Sequence, residues 1–231
     1  MTTILLTGSS RGIGAACAAA LAAAGATVIG HGTHSGIAAD LAERGAATGL
    51  WARALDAAGG RIDVLVNNAG VFEANPLDGE DAAWVAGWER TMRINLTATA
   101  ELSRLAVRHW RQTGGGRLVN VASRAAYRGD SPQHWHYAAS KAGMVAMTKT
   151  IARGYAADGI LAFAVCPGFT MTGMAEDYLA SRGGDRLLAD IPLGRVAEPA
   201  EVAEVVRFLA LDAPASMTGA VLDVNGASYV R

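Results

Sequence analysis

Short β-rich runs alternate with alanine-rich helical stretches from one end of this chain to the other, and that alternation predicts an α/β fold around a mostly parallel sheet. Thr3 to Thr7 reads as a buried strand. Ile13, Cys17 and Leu21 recur at a spacing of four, so residues 12–24 form a helix with one apolar stripe, stopped by Gly25. Ala26 to Gly30 is the second strand. Trp51, Ala54, Leu55 and Ala58 share a face of a later helix closed by Gly59 and Gly60. The spacing then predicts a strand over Ile62 to Val66, a long helical region over about 80–111 and a strand over Arg117 to Ala122. A helix over roughly 136–157, a strand over Leu161 to Val165, a looser segment over 168–198, a helix near 199–211 and a strand over Val221 to Val224 complete the pattern.

No repeat or linker interrupts the 231 residues, so one domain spanning 1–231 is expected. A hydrophobic content of 51% against 18% charged residues excludes disorder, and a net charge of −1 offers no field for nucleic acid or anionic lipid. The longest apolar stretch, Ala15 to Ala24, is too short to cross a membrane, and no basic segment precedes an apolar one at the N-terminus. Cys17 and Cys166 set no disulfide framework, which fits reduced, buried thiols in the cytoplasm; no metal site is expected.

The segment after the second strand admits two readings. In the first, Ile37 to Leu41 is a third strand, and His31 to Gly36 is all that connects it to the second. Six residues extend about 20 Å, enough to run back along a strand but not to hold a helix as well. In the other, Ile37 to Arg44 is a short helix capped by Gly45, and Thr48 to Trp51 is the strand.

Two motifs carry chemistry. Thr7-Gly8-Ser9-Ser10-Arg11-Gly12-Ile13-Gly14 lies between the first strand and the first helix, where glycines permit a tight turn and a helix N-terminus offers free N–H groups to a pyrophosphate. Tyr137 and Lys141 are four apart on a predicted helix and share a face. A nearby cation stabilises a phenolate and lowers a pKa that is otherwise near 10. Ser123 ends a strand fourteen residues before Tyr137, at the carboxyl end of the sheet where α/β sites are built.

Together these residues resemble the short-chain dehydrogenase/reductase family, and within it compact members such as 3-oxoacyl-carrier-protein reductases. The likeness runs from about Ile4 to Gly226: the Gly-rich turn, Asn67-Asn68-Ala69-Gly70, Trp88 followed by Asn95, the Ser123, Tyr137 and Lys141 set, Pro167-Gly168 with Thr172, and Thr218-Gly219 with Val224-Asn225-Gly226. The resemblance implies a Rossmann-like doubly wound sandwich and a carbonyl–alcohol oxidoreductase. Tyr137 would be the general acid/base, Ser123 would polarise the carbonyl, Lys141 would lower the tyrosine pKa and bind ribose, and Asn95 would hold a water that resupplies protons. Cofactor contacts are expected from Gly8, Ser10, Arg11, Gly12, Ile13, Gly14, His31, Thr33, Asn68, Ala69, Gly70, Pro167, Gly168, Thr170 and Thr172, besides Tyr137 and Lys141. Asp40-Leu41 fits the family's Asp-aliphatic pair at the end of the third strand beside adenine. That register favours the first reading above and predicts a fold lacking the helix between strands two and three.

Members that prefer NAD place an acid after the second strand; Gly30 to His34 has none, and Arg11 suits a 2′-phosphate, so NADP(H) is favoured with NAD(H) as the alternative. The resemblance further implies a small-molecule substrate and a homotetramer, or a dimer, built on the long helices. An NAD-dependent sugar or polyol dehydrogenase and a catalytically idle NAD(P)-binding regulator are the rival functions. Tyr127, His134, Trp135 and His136 form an aromatic-rich approach to the site, and Phe169, Met171, Met174, Tyr178, Leu187 and Leu188 an apolar loop. Arg104, Arg108 and Arg111 could face an acidic carrier. Of 20 basic residues only Lys141 and Lys149 are lysines; the first falls where a compact ammonium is wanted rather than a guanidinium fork, and the second has no assigned role.

Overall fold

The computed structural model describes residues 1–172 and 188–231. Among the described residues six strands form one parallel sheet: β1 (Thr3–Leu6), β2 (Thr27–Gly30), β3 (Val64–Asn67), β4 (Gly116–Val121), β5 (Ile160–Pro167) and β6 (Val221–Val224), in the order β2-β1-β3-β4-β5-β6. The chain goes from β1 outward to β2, then crosses back over β1 to β3. The switch point therefore lies between the carboxyl ends of β1 and β3, where open α/β sheets bind ligands.

Side-chain alternation divides the core into two layers. Leu5, Leu65, Leu118 and Ala162 pack with Leu50, Trp51 and Ala54 of α2 (Ala46–Ala57), with Leu102, Ala106 and Trp110 of α4 (Ala98–Thr113), and with Ile151 of α6 (Trp135–Tyr155). Their neighbours Ile4, Leu6, Val64, Val66, Val119 and Val121 face Cys17 and Leu21 of α1 (Gly12–Ala23) and Val202, Ala203 and Val206 of α7 (Pro199–Arg207). The near-continuous apolar runs of β1 and β3 follow from this two-sided burial. Both cysteines are buried and free. Among the described residues no helix is long and apolar enough to cross a membrane.

The long helical region is two helices, α3 (Asp81–Met92) and α4, joined by a π-helical turn over Arg93–Thr97 that contains Asn95. Such turns recur at functional sites. A short α5 (Ala125–Arg128) follows β4.

Residues 31–45 correct both readings of that segment. There is no strand over 37–41, no helix over 37–44 and no strand over 48–51; Thr48 and Trp51 are already inside α2. No helix follows β2 before residue 46, in line with the fold expected to lack one there, but the strand expected over 37–41 is absent as well. A strand parallel to β2 would have to start at the opposite end of the sheet, and residues 31–41 do not return there. Gly36, at φ +62°, folds it back at once: Ile37 N–H donates to Gly30 O at 2.9 Å and Ala39 N–H to Gly32 O at 3.2 Å. A Cβ on Gly36 would collide with the Gly30 carbonyl, so the fold-back requires glycine. β2 is left as a short, half-buried edge strand.

Candidate active site

The Gly-rich turn opens α1 in the form an anion site needs. Arg11 at the N-cap makes no side-chain cap bond and no acid occupies the first turn, so the first N–H groups and the positive helix end are unclaimed by capping side chains. Gly14 lies so close to the Gly8 carbonyl that a Cβ would overlap it, which locks the helix start onto the turn. Asn68, past the end of β3, donates its amide to Thr7 O and Gly8 O at 3.0 Å each, while Thr7 Oγ1 accepts the N–H groups of Asn68 and Ala69 at 3.0 Å. Thr172 sets its methyl against Gly12. Ser10, Arg11 and Thr33 are exposed and available to a ligand.

Other adenine-side residues are placed differently from the expectation. Leu41 is in the core beside Leu50 and Trp51. Asp40 is exposed, and its carboxylate accepts the Ala42 N–H at 2.9 Å, closing a local turn. With no third strand to end, the pair does not occupy the strand-end register that the resemblance assigned to it. His31 is buried, with both ring nitrogens engaged.

On the other side of the switch point, Ser123 follows β4, and its Oγ accepts the Ala125 N–H at 3.1 Å. The hydroxyl also hydrogen-bonds the Tyr137 phenol. Tyr137 and Lys141 stand on one face of α6, and the Lys141 Nζ lies 5.8 Å from the centre of the tyrosine ring. Lys141 as a whole is 4% exposed. It donates to Val121 O at 2.9 Å, with Met144 Sδ at 3.6 Å, and has no carboxylate among its hydrogen-bond partners in the described residues. Burial pulls Lys141 down to about 8, which still leaves it mostly charged at neutral pH. Burial pushes the Tyr137 phenol up to about 12, against the opposing pull of the Ser123 hydrogen bond. Burial is the largest influence on that phenol, and the cation expected to lower it lies 5.8 Å from the ring centre.

Asn95 is fully buried and tethers the segment after β3. Its Oδ1 accepts the Val71 N–H at 2.8 Å, and its Nδ2 donates to Val71 O at 3.0 Å and to Ser140 Oγ at 3.3 Å. A Cβ on Gly70 would lie 3.2 Å from Asn95 Oδ1 and 3.6 Å from Lys141 Nζ, so Gly70, Asn95 and Lys141 meet at one point.

Pro167 ends β5, and Gly168 donates to Val224 O at 2.9 Å while resting on Asn225. Thr170 is buried, its hydroxyl donating to Gly168 O at 3.2 Å. Phe169, Met171 and Leu188 pack on Ile191 and Val196; Met174, Tyr178 and Leu187 of the expected apolar loop lie outside the described residues.

Two residues of the site escape the motif reading. Phe72 meets Tyr137 edge-on at 4.8 Å and stacks on His134 at 3.9 Å. Its signal was an aromatic two residues beyond Gly70. Ser140, inside the Tyr137–Lys141 spacing, donates to Tyr137 O at 2.7 Å and accepts from Asn95. Among the residues expected on the approach, His134 flanks the tyrosine through Phe72, while His136 and Trp135 pack toward Trp88 and Trp84. Tyr127 faces elsewhere, against Tyr229 and Arg231, and the Lys149 ammonium lies 5.9 Å over its ring.

Residues 29–227 match the family model described as enoyl-(acyl carrier protein) reductase. The chain is 36% identical over 244 residues to the 3-oxoacyl-[acyl-carrier-protein] reductase FabG of Vibrio harveyi, covering 98% of this chain and 96% of that protein. It is 34% identical over 247 residues to the uncharacterized short-chain type dehydrogenase/reductase y4mP of Sinorhizobium fredii, covering 96% and 94%. A crystal structure described as an NAD(P) dependent gluconate 5-dehydrogenase from Beutenbergia cavernae, with NADP bound at low occupancy, matches at a TM-score of 0.89 and 33% identity, covering 98% and 96%.

Proposed function

The chain belongs to the short-chain dehydrogenase/reductase family and is an NAD(P)-dependent oxidoreductase, and on that premise we propose that it interconverts a carbonyl and a secondary alcohol with NADP(H), using Tyr137 as general acid/base. The observation that carries this reading is the Lys141 ammonium, buried beside the Tyr137 ring and Gly70 with no carboxylate partner among the described residues, at the switch point of the sheet. A buried cation with a single carbonyl acceptor is costly for a purely structural role, and such groups cluster at functional sites.

The residues present fit a dinucleotide. The α1 N-terminus and the Gly8–Gly14 turn would hold the pyrophosphate, Lys141 and Tyr137 the nicotinamide ribose, and the Pro167–Thr172 segment the carboxamide end. The bound nicotinamide supplies or accepts the hydride. Ser123 donates its hydroxyl hydrogen to the substrate carbonyl oxygen and polarises it. Tyr137, whose phenol is fully protonated at neutral pH, gives its proton to that oxygen as negative charge develops there. Lys141 opposes the resulting phenolate charge, and in the oxidative direction it favours the deprotonated base. Asn95 acts by position: it fixes Val71 and hence the Gly70 backbone against Lys141. The water relay assigned to it by resemblance would fall to its main-chain carbonyl in the π-helical turn, which accepts the Thr99 hydroxyl at 3.0 Å.

The preference for the 2′-phosphorylated cofactor rests on charge. Residues 30–36 carry no acid, Asp40 is turned into its own loop, and Arg11 stands exposed on the turn. The proposed substrate is a free small molecule and not an acidic carrier, because Arg111 is already paired with Asp158 at 3.2 Å, leaving a thin basic face on α4. A panel of ketones, keto acids and 3-oxoacyl thioesters, read by NADPH and NADH absorbance, tests the reading. Turnover of at least one carbonyl with a higher kcat/KM for NADPH is expected. The Tyr137→Phe variant should lose about 10²–10⁴-fold in kcat at unchanged fold; turnover near that of the parent enzyme would remove the assigned role.

A further inference from the structure

His31 is the first residue after β2, is 3% exposed, and is held at four atoms by five hydrogen bonds. Its N–H donates to Leu6 O at 3.0 Å, extending the β1–β2 ladder by one bond, and its carbonyl accepts the Ser9 N–H at 2.8 Å and the Ser9 hydroxyl at 3.2 Å. The ring continues the same work. Nδ1 lies 3.3 Å from the Gly8 nitrogen, and Nε2 lies 3.0 Å from Ala39 O. A backbone N–H only donates and a carbonyl only accepts, so the two contacts together fix the neutral tautomer with the proton on Nε2 and the lone pair of Nδ1 aimed at Gly8. One imidazole thus joins the inner side of the Gly-rich turn to the folded-back segment at 36–39. That segment is held from its far side by α2, whose Arg53 donates to Ala38 O at 2.9 Å.

We propose that His31 is a positioning residue for the dinucleotide: by holding the Gly8 N–H from behind and Ala39 from the other side, its imidazole sets the orientation of the pyrophosphate-binding turn in a chain that lacks the helix and strand that would otherwise brace it. This inference rests on the reading of the site as an NADP(H) site. It assigns the ring no contact with the cofactor, since both nitrogens are already used. It also explains why a histidine stands where only its backbone and a small side chain were needed to leave β2.

Two amide substitutions separate the two bonds. In His31→Asn the Oδ1 takes the place of the ring Nδ1 and can accept from Gly8, but cannot reach Ala39. In His31→Gln the amide nitrogen takes the place of Nε2 and can donate to Ala39, leaving Gly8 without its acceptor. Leaving a buried donor unpaired costs enough to weaken a linked equilibrium about tenfold. The expected result, by calorimetric or fluorescence titration of purified full-length protein with NADPH, is a Kd raised about tenfold in His31→Gln and by no more than about threefold in His31→Asn. The KM for NADPH should follow the Kd, and kcat at saturating NADPH should change little. Equal affinities in His31→Gln and the parent, or equal losses in both variants that track a shared fall in Tm, would overturn the role. Should either variant fail to fold, ¹⁵N NMR of the parent protein decides: an Nε2-protonated imidazole whose Nδ1 shift and Gly8 amide both move on NADPH addition is expected, and an Nδ1-protonated or freely titrating ring overturns it. A parent protein that binds neither NADPH nor NADH removes the site reading itself, and the role of His31 with it, whereas binding by the parent with an unaffected His31→Gln removes the role alone.

Discussion

On the β4–β5 side of the cleft, Ser123 stands at a strand end and Tyr137 and Lys141 on a helix of 21 residues, whereas on the β2 side residues 31–45 contain neither helix nor strand. The first side places its side chains through regular backbone, whose hydrogen bonds are satisfied locally and whose geometry any compatible residue would maintain. The second side holds its shape through particular atoms: the Gly36 fold-back, the two ring nitrogens of His31, the Asp40 turn and the Leu41 side chain in the core. Substitutions on the two sides should therefore fail differently. Chemistry is lost first on one, and stability together with cofactor affinity on the other.

The sharpest way to probe the regular side is Lys141→Arg. It keeps the charge, but Nζ is enclosed by Val121 O, Met144, Gly70 and Asn95, and a planar guanidinium does not fit that point. A loss of about 10²-fold or more in kcat/KM is expected, with the circular dichroism spectrum of the parent; activity within about threefold would show that charge alone suffices. On the irregular side, Leu41→Ala should cost about 2–5 kcal/mol in denaturant-measured stability, because it opens a cavity beside Leu50 and Trp51. The folded fraction should keep its kcat. A large loss of kcat with stability intact would erase the contrast between the two sides.

The smallest effect expected is on pH. Burial holds His31 below its ordinary pKa, with the charge of Arg53 adding to the shift, and it does the same for His109, His134 and His136. Each takes up its proton more readily when unfolded. Their contribution to stability is therefore complete above the unfolded value near 6.5 and is lost as pH falls through the lower folded values. Tm should decline by a few degrees from pH 7.5 to pH 5.5, a window in which the paired carboxylates stay ionised. The decline should be smaller in His31→Asn, and an identical slope would assign the effect to the other three histidines.

Local periodicity and spacing determined most of what this sequence reveals. An apolar stripe of period four places α1, the i to i+4 relation puts Tyr137 and Lys141 on one face, and strand ends followed by Ser123, Asn68 and Gly8 converge wherever a parallel sheet is formed. These are short-range relations, and backbone geometry carries them into space without further information. Residues 31–45 have no such period. Their path depends on whether Gly36 can turn back onto Gly30, and on whether an imidazole can reach Gly8 and Ala39 at once, and both are decided by atoms from different elements. The same holds for Phe72 beside Tyr137 and for the direction of the tyrosine pKa, which burial raises although the sequence places a cation one helical turn away. Tertiary structure alone decides such features, because solvation and side-chain reach depend on every neighbour and not on spacing along the chain.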